Sequence, residues 1–289
     1  MQTKSPSRSA EVRSVQPEQP PVFELNPARS IAVWSPSGAG KSTVAVNLAD
    51  QLARLNQRVL LVDADLTSPS CSLMLGLGPD ATGISSVCRL AREAKLERNE
   101  LLRLATRIEV SRGTFYLIPG ISSNIRWPEV TPSAIEVMLR VASQDFDYVI
   151  FDLASSIEPS LRVEAAALAR NELTRYLVTN CESAVLLAAA DPVGLHRFAR
   201  QYLEVQQLRG QPGSIIAINR VRATSIGTNP ERQIEKVLAE LLKVRPHHYL
   251  PDDPQRVDAA LRDGIPVRLI SRRSALARAI AELAADLVQ

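Results

Sequence analysis

The sequence predicts an α/β fold, one domain of about 250 residues behind a short leading tail. Three observations predict it. The chain has 289 residues, 45% of them hydrophobic and 22% charged, enough to bury a sizeable core under an ordinary globular surface. Its stretch Ile31 to Thr43, IAVWSPSGAGKST, runs from four mostly apolar residues through a Ser/Pro/Gly turn into a helix-like segment. Similar short apolar runs recur at 58–62, 147–152, 184–189 and 215–218, with helix-period segments between them.

Residues 1 to 27 carry Pro6, Pro17, Pro20, Pro21 and Pro27 among Ser, Gln, Arg and Glu. That composition buries too little surface to offset ordering entropy, so a flexible tail is expected there, with the domain at 28–289. The start has no apolar core of a secretory leader, and no run approaches the ~20 residues of a membrane span. Cys71, Cys88 and Cys181 are widely spaced and outside any CxxC pattern, which argues against a disulfide framework or a zinc site. A cytoplasmic location is expected on these grounds. The net charge of +3 is too mild to demand nucleic acid or membrane, and Lys41 is one of only five lysines in an arginine-rich chain.

Ile31 to Trp34 reads as a buried strand and Thr43 to Leu55 as a helix with apolar residues at Val44, Val46, Leu48, Leu52 and Leu55. Strand, glycine-rich turn and helix form the context of a phosphate-binding loop, Ser37, Gly38, Ala39, Gly40, Lys41, Ser42 and Thr43. Backbone N–H groups of such a loop converge on one spot, and small residues let a phosphate approach the main chain. Lys41 would reach the terminal phosphates and the Ser42 hydroxyl would hold Mg2+. The run 58–62 ends on Asp63 and Asp65, two carboxylates on one side of an extended segment at a ligand-bearing sheet edge. One would orient a water and the other support the Mg2+ shell. The run Asp147 to Asp152, DYVIFD, ends on a further aspartate, Asp152, suited to hold Mg2+ through water.

Elsewhere, 80–106 reads as short helices, 114–118 as a strand, and Thr131 as the N-cap of a helix with Pro132 at its first position. Trp127 is expected to cap the core. Leu161 to about Val178 reads as one long helix, and His247 and His248 fall at a strand start with no metal role expected. Ile215 to Ile218 reads as a strand ending on Asn219-Arg220-Val221-Arg222, which does not resemble the N-K-x-D string of P-loop GTPases; that comparison implies ATP over GTP. The last helix, SALARAIAELAADLVQ, lacks the character of a membrane-surface helix and reads as part of the core.

Together these motifs resemble the MinD/ParA ATPases over about residues 29 to 288. Gly38-x-Gly40-Lys41-Ser42-Thr43 is similar to their deviant phosphate loop, but Pro36 stands where their signature lysine crosses the dimer, and Ser37 replaces the first glycine of a pair. LLVDAD matches the family's first switch, with Asp65 as the water-positioning residue. Leu153-Ala154-Ser155-Ser156 departs from its second switch. The resemblance implies a doubly wound, mainly parallel sheet with helices on both faces. It also implies that Asn219 reads the adenine edge and that Arg220, Pro251, Asp252 and Asp253 lie beside the base. VWSPSGAGKSTVAVNLA, RWPEV and AAADPVGL are most similar to the actinobacterial CpaE/TadZ-like branch. The function so implied is an ATP- and Mg2+-dependent homodimer, slow in hydrolysis, that positions a pilus, secretion or cell-pole machine. Arg126, Arg162 and Arg170 are candidates to replace the crossing lysine. A DNA-partition ATPase is the alternative, with Arg220, Arg222, Arg268, Arg272 and Arg273 as a non-specific DNA surface. A metabolic phosphoryl-transfer enzyme is the third possibility, without a second-substrate motif to support it.

Overall fold

In the computed structural model, residues 30–78, 83–159, 170–210 and 213–288 are described. Strands β1 (Ser30–Trp34), β2 (Val59–Ala64), β3 (Thr106–Val110), β4 (Gly113–Ile118), β5 (Tyr148–Leu153), β6 (Ser183–Ala189), β7 (Ser214–Val221) and β8 (His248–Pro251) form one sheet in the order β3-β4-β2-β5-β1-β6-β7-β8. Every pairing is parallel except β3 on β4. The strand path reverses beside β1, which lies between β5 and β6, and ligands of doubly wound sheets bind at such a switch point.

Side chains alternate across the sheet and assign the helices to its two faces. Ile31 and Val33 of β1, with Val59 and Leu61 of β2, point to one layer; Ala32, Trp34, Leu60 and Val62 point to the other. The first layer holds α1 (Lys41–Arg54), α2 (Cys71–Met74) and, from the C-terminal end, α12 (Ala275–Val288), whose Leu276, Ile280 and Leu283 are buried. The second layer holds α3 (Ile84–Arg92), α4 (Arg98–Leu104), α5 (Pro132–Ala142), α6 (Asn171–Asn180), α7 (Pro192–Arg209) and α9 (Pro230–Leu242), the last following the single turn α8 (Ala223–Ile226). The remaining elements, α10 (Pro254–Asp263) and α11 (Val267–Ile270), connect β8 to α12.

Local chemistry sets the ends of these elements. Thr131 caps α5 by accepting from the Ala134 N–H, with Pro132 in the first helical position. Asp191 does the same for α7 at Gly194, and Gly210, at φ 59°, ends it in the left-handed region. On α1, buried Asn47, Asp50 and Gln51 bind the C-terminal segment. Asn47 Oδ1 accepts from the Val267 N–H, Gln51 donates to the Ala277 carbonyl, and Asp50 takes a bidentate bond from Arg268 at 2.8 and 2.6 Å. α1 is thereby fixed against both the sheet and the end of the chain.

Three sequence expectations need correction or restriction. The short helices expected over 80–106 end at Leu104, and Thr106 already opens strand β3, which is not among the strands expected from sequence. Arg268 is not a surface residue: it is 6% exposed and engaged by Asp50, so it belongs to no DNA-facing patch. The long helix is described only as α6, Asn171–Asn180; its expected start, Arg162 and the leading tail lie outside the described residues. Trp127 is partly buried against the core, as expected of a large aromatic side chain. No helix among the described residues is long and apolar enough to cross a membrane.

Candidate nucleotide-binding site

The turn from β1 to α1 is built for close approach. Gly38 and Gly40 stand at φ 91° and 81°, the left-handed region that favours glycine. A Cβ on Gly40 would fall 2.7 Å from the Asn219 amide nitrogen and would push that amide off the Ala39 carbonyl. α1 begins at Lys41 without a side-chain cap, and its first backbone N–H groups face the loop with the positive end of a 14-residue helix dipole. Pro36 is buried, and the Ser35 hydroxyl donates to its carbonyl at 2.8 Å.

Two groups of residues flank this loop. On one side is a cavity of ≈ 400 Å³ that brings together Gly40, Thr43, Asn219, Arg220, Pro251, Asp252 and Asp253, residues scattered over more than 200 positions of chain. The Asn219 amide donates to the Ala39 carbonyl at 2.8 Å and its oxygen accepts from the Arg220 N–H, so Asn219 ties the end of β7 to the phosphate loop. Arg222 pairs with Asp252 at 3.4 Å; Asp253 pairs with Arg256 and accepts from the Ser274 hydroxyl. Arg220 and Arg222 thus edge this cavity, whereas Arg268 and Arg272 line a different one.

On the other side, Lys41 Nζ lies 3.2 Å from Asp65 Oδ2 and donates to the Ser155 hydroxyl at 3.3 Å. Asp65 Oδ1 accepts from the N–H groups of Thr67 and Ser68, closing the turn after β2. Asp63 is spent on backbone: Oδ2 accepts from Ser70 and Cys71 N–H at 2.8 and 2.9 Å, and Oδ1 from Asp65 N–H. Asp152, paired in register with Asp63, lies wholly buried beside the Ser42 hydroxyl, and the Cys71 thiol donates to its Oδ2 at 3.5 Å. Burial pushes both carboxyls up from the usual aspartate range; the Asp152 charge adds to the rise at Asp63, while Lys41 and Ser42 partly offset the rise at Asp152. Burial also pushes the Cys71 thiol up, so it stays a donor rather than a thiolate ligand.

The donor set fits Mg2+. Asp152 Oδ1 is buried and has no hydrogen-bond partner among the described residues, and the Ser42 side chain interacts with the same carboxyl. Hard oxygen donors with room for waters are what Mg2+ prefers. Of the four residues expected to hold metal, Ser42 and Asp152 keep such donors open, while Asp63 and Asp65 are committed to loop backbone and to Lys41. Ser155 and Cys71 were missed from sequence, because nothing in LASS or SPSC marks a contact to residues more than 80 positions away. Arg126 is held by Glu129, and Arg170 donates to the Asn124 carbonyl and covers the Trp127 ring at 5.6 Å, so both have local partners.

Residues 31–284 match the family described as the CobQ/CobB/MinD/ParA nucleotide binding domain. The chain belongs to that family. It is 27% identical to the septum site-determining protein MinD of Synechocystis sp. over 231 residues, 80% of this chain and 77% of that one. It is 29% identical to the antiactivator FleN of Pseudomonas aeruginosa over 141 residues, 47% and 46% of the two chains. Among solved structures, a ParA family ATPase from Chlorobium tepidum superposes with a TM-score of 0.72 at 20% identity, covering 89% of this chain and 99% of that one. Pyrococcus horikoshii MinD complexed with Mg-ADP gives 0.67 at 21%, covering 90% and 95%. At these identities the structures support the fold: an eight-stranded, mostly parallel sheet of MinD/ParA type with helices around it.

Proposed function

We propose that this chain is an ATP- and Mg2+-dependent switch that dimerises on binding nucleotide and, as a dimer, positions a larger assembly. The observation that carries this reading is the placement of Lys41. Its ammonium bridges Asp65, after β2, and Ser155, after β5, so one charge holds both segments that follow the central strands. A terminal phosphate carries more negative charge than a carboxylate and would draw Lys41 toward the loop, releasing Asp65 and Ser155 together. Asp65, once free, is placed to orient water. Ser42 and Asp152 would hold Mg2+, which would neutralise phosphate charge.

The base would lie in the cavity edged by Asn219, Arg220, Pro251, Asp252 and Asp253. ATP is the expected nucleotide because Asn219-Arg220-Val221-Arg222 supplies no aspartate to a guanine. Pro36 removes the family's lysine from the dimer-facing loop, so hydrolysis is expected to be slow. The CpaE/TadZ-like strings support a pilus, secretion or cell-pole machine as what is positioned.

Solution mass by light scattering tests the switch. The full chain is expected to double in mass with Mg2+ and ATP, but not with ADP or without nucleotide. A mass that ignores nucleotide would overturn the reading.

A further inference from the structure

Five arginines surround a small pocket of ≈ 100 Å³ that the nucleotide site does not use. Arg54 comes from the last turn of α1, Arg112 from the two-residue turn between β3 and β4, Arg268 from α11, Arg272 from the next turn, and Arg278 from α12. Arg54 lies about 20 Å along α1 from Lys41, at 1.5 Å per residue. This pocket is therefore separate from the phosphate loop.

Arg268 is the fixed member. Asp50, fully buried, holds its Nε and Nη2, and Nη2 also donates to the Ser111 carbonyl at 3.0 Å. Its Nη1 has no protein partner among the described residues. The other four guanidiniums are exposed, and none pairs with a carboxylate among the described residues. Arg112 stands at φ 69°, a position where glycine or asparagine costs less. The turn thus places a guanidinium at the pocket at some backbone cost.

Charge then decides the ligand. Five guanidiniums and one carboxylate leave four net positive charges at this pocket, more than the +3 of the entire chain. The basicity is local, not general. The C-terminal dipole of α1 offsets only about half a charge. A carboxylate ligand would neutralise one unit, whereas each phosphate group brings about 1.5 to 2. Two linked phosphates balance the site, and planar guanidinium forks bind phosphate oxygens in pairs.

We propose that this pocket binds a compact oligophosphate anion, at a site independent of the nucleotide. The test is calorimetric titration of the full-length Lys41→Ala chain, in which the phosphate loop is disabled, with pyrophosphate and tripolyphosphate in the absence of Mg2+. One saturable equivalent is expected, weakening as salt is added. In the Lys41→Ala background, Arg272→Gln with Arg278→Gln should weaken it about tenfold or more. Both side chains are exposed, so the fold should survive, and circular dichroism checks that it does. Absence of saturable binding to Lys41→Ala, or binding indifferent to the arginine substitutions, would overturn the proposal. A short DNA duplex is the second arm. Failure to displace tripolyphosphate supports a small-anion site. Displacement at a lower phosphate concentration than the free anion would overturn it in favour of a nucleic-acid backbone.

Discussion

At the scale of single residues, geometry gives each group of the site a distinct part. Gly40 has both a left-handed φ and the Asn219 amide against its missing Cβ. Gly40→Ala is expected to cost about 1–3 kcal/mol in stability through backbone strain and to abolish ATP binding, read by denaturant melts and by titration. Asn219→Ala should be milder in stability, near the ~1 kcal/mol of one hydrogen bond, yet should weaken ATP binding because the Ala39 carbonyl loses its tie to β7. Asp63 predicts a pH effect. Burial first, and Asp152 next, raise its folded pKa to about 8, against an unfolded aspartate near about 4. The folded chain therefore holds this proton more tightly. The stability it contributes is fully present below about pH 4 and is lost as pH rises through about 8. Denaturation of the Mg2+-free, nucleotide-free chain across that window should show falling stability, and Asp63→Asn should give a shallower slope whatever its absolute stability.

At the scale of elements, α1 couples the loop to the end of the chain. Asp50 and Arg268 form a buried, bidentate pair between α1 and α11. Asp50→Ala would leave a guanidinium unpaired in the interior and should destabilise by about 3–5 kcal/mol, while Asp50→Leu with Arg268→Met should recover much of the loss in the same melts. This element scale also shows what the sequence makes legible. Strands β1, β2, β5, β6 and β7 are buried on both faces and read as continuous apolar runs, and α5 announces itself by Thr131 and Pro132. β3 does not: TRIEV alternates half-buried Ile108 and Val110 with exposed Arg107 and Glu109, directly after a helix, at the one antiparallel edge of the sheet. The loop, Asp65, Asp152 and Asn219 were visible as motifs because their residue types and strand-end positions are local. Ser155 meeting Lys41, Cys71 meeting Asp152, and Arg268 turning inward to Asp50 were not, because each depends on contacts across 81 to 218 positions of chain.

At the scale of the whole molecule, the switch point beside β1 brings the ends of β2, β5, β7 and β8 around one glycine-rich turn. That arrangement places a cavity edged by Asn219, Arg220 and Asp252 on one side of the loop and the Lys41–Asp65–Ser155 cluster on the other. The proposed dimerisation and positioning both require the loop to be a working site for nucleotide with Mg2+. Calorimetric titration of the full chain with ATP, with and without Mg2+, and of Lys41→Ala and with GTP as controls, tests that most directly. The expected result is one ATP per chain, tighter with Mg2+, weak for GTP and lost in Lys41→Ala. An absence of ATP binding, or binding that Lys41→Ala leaves unchanged, would contradict it.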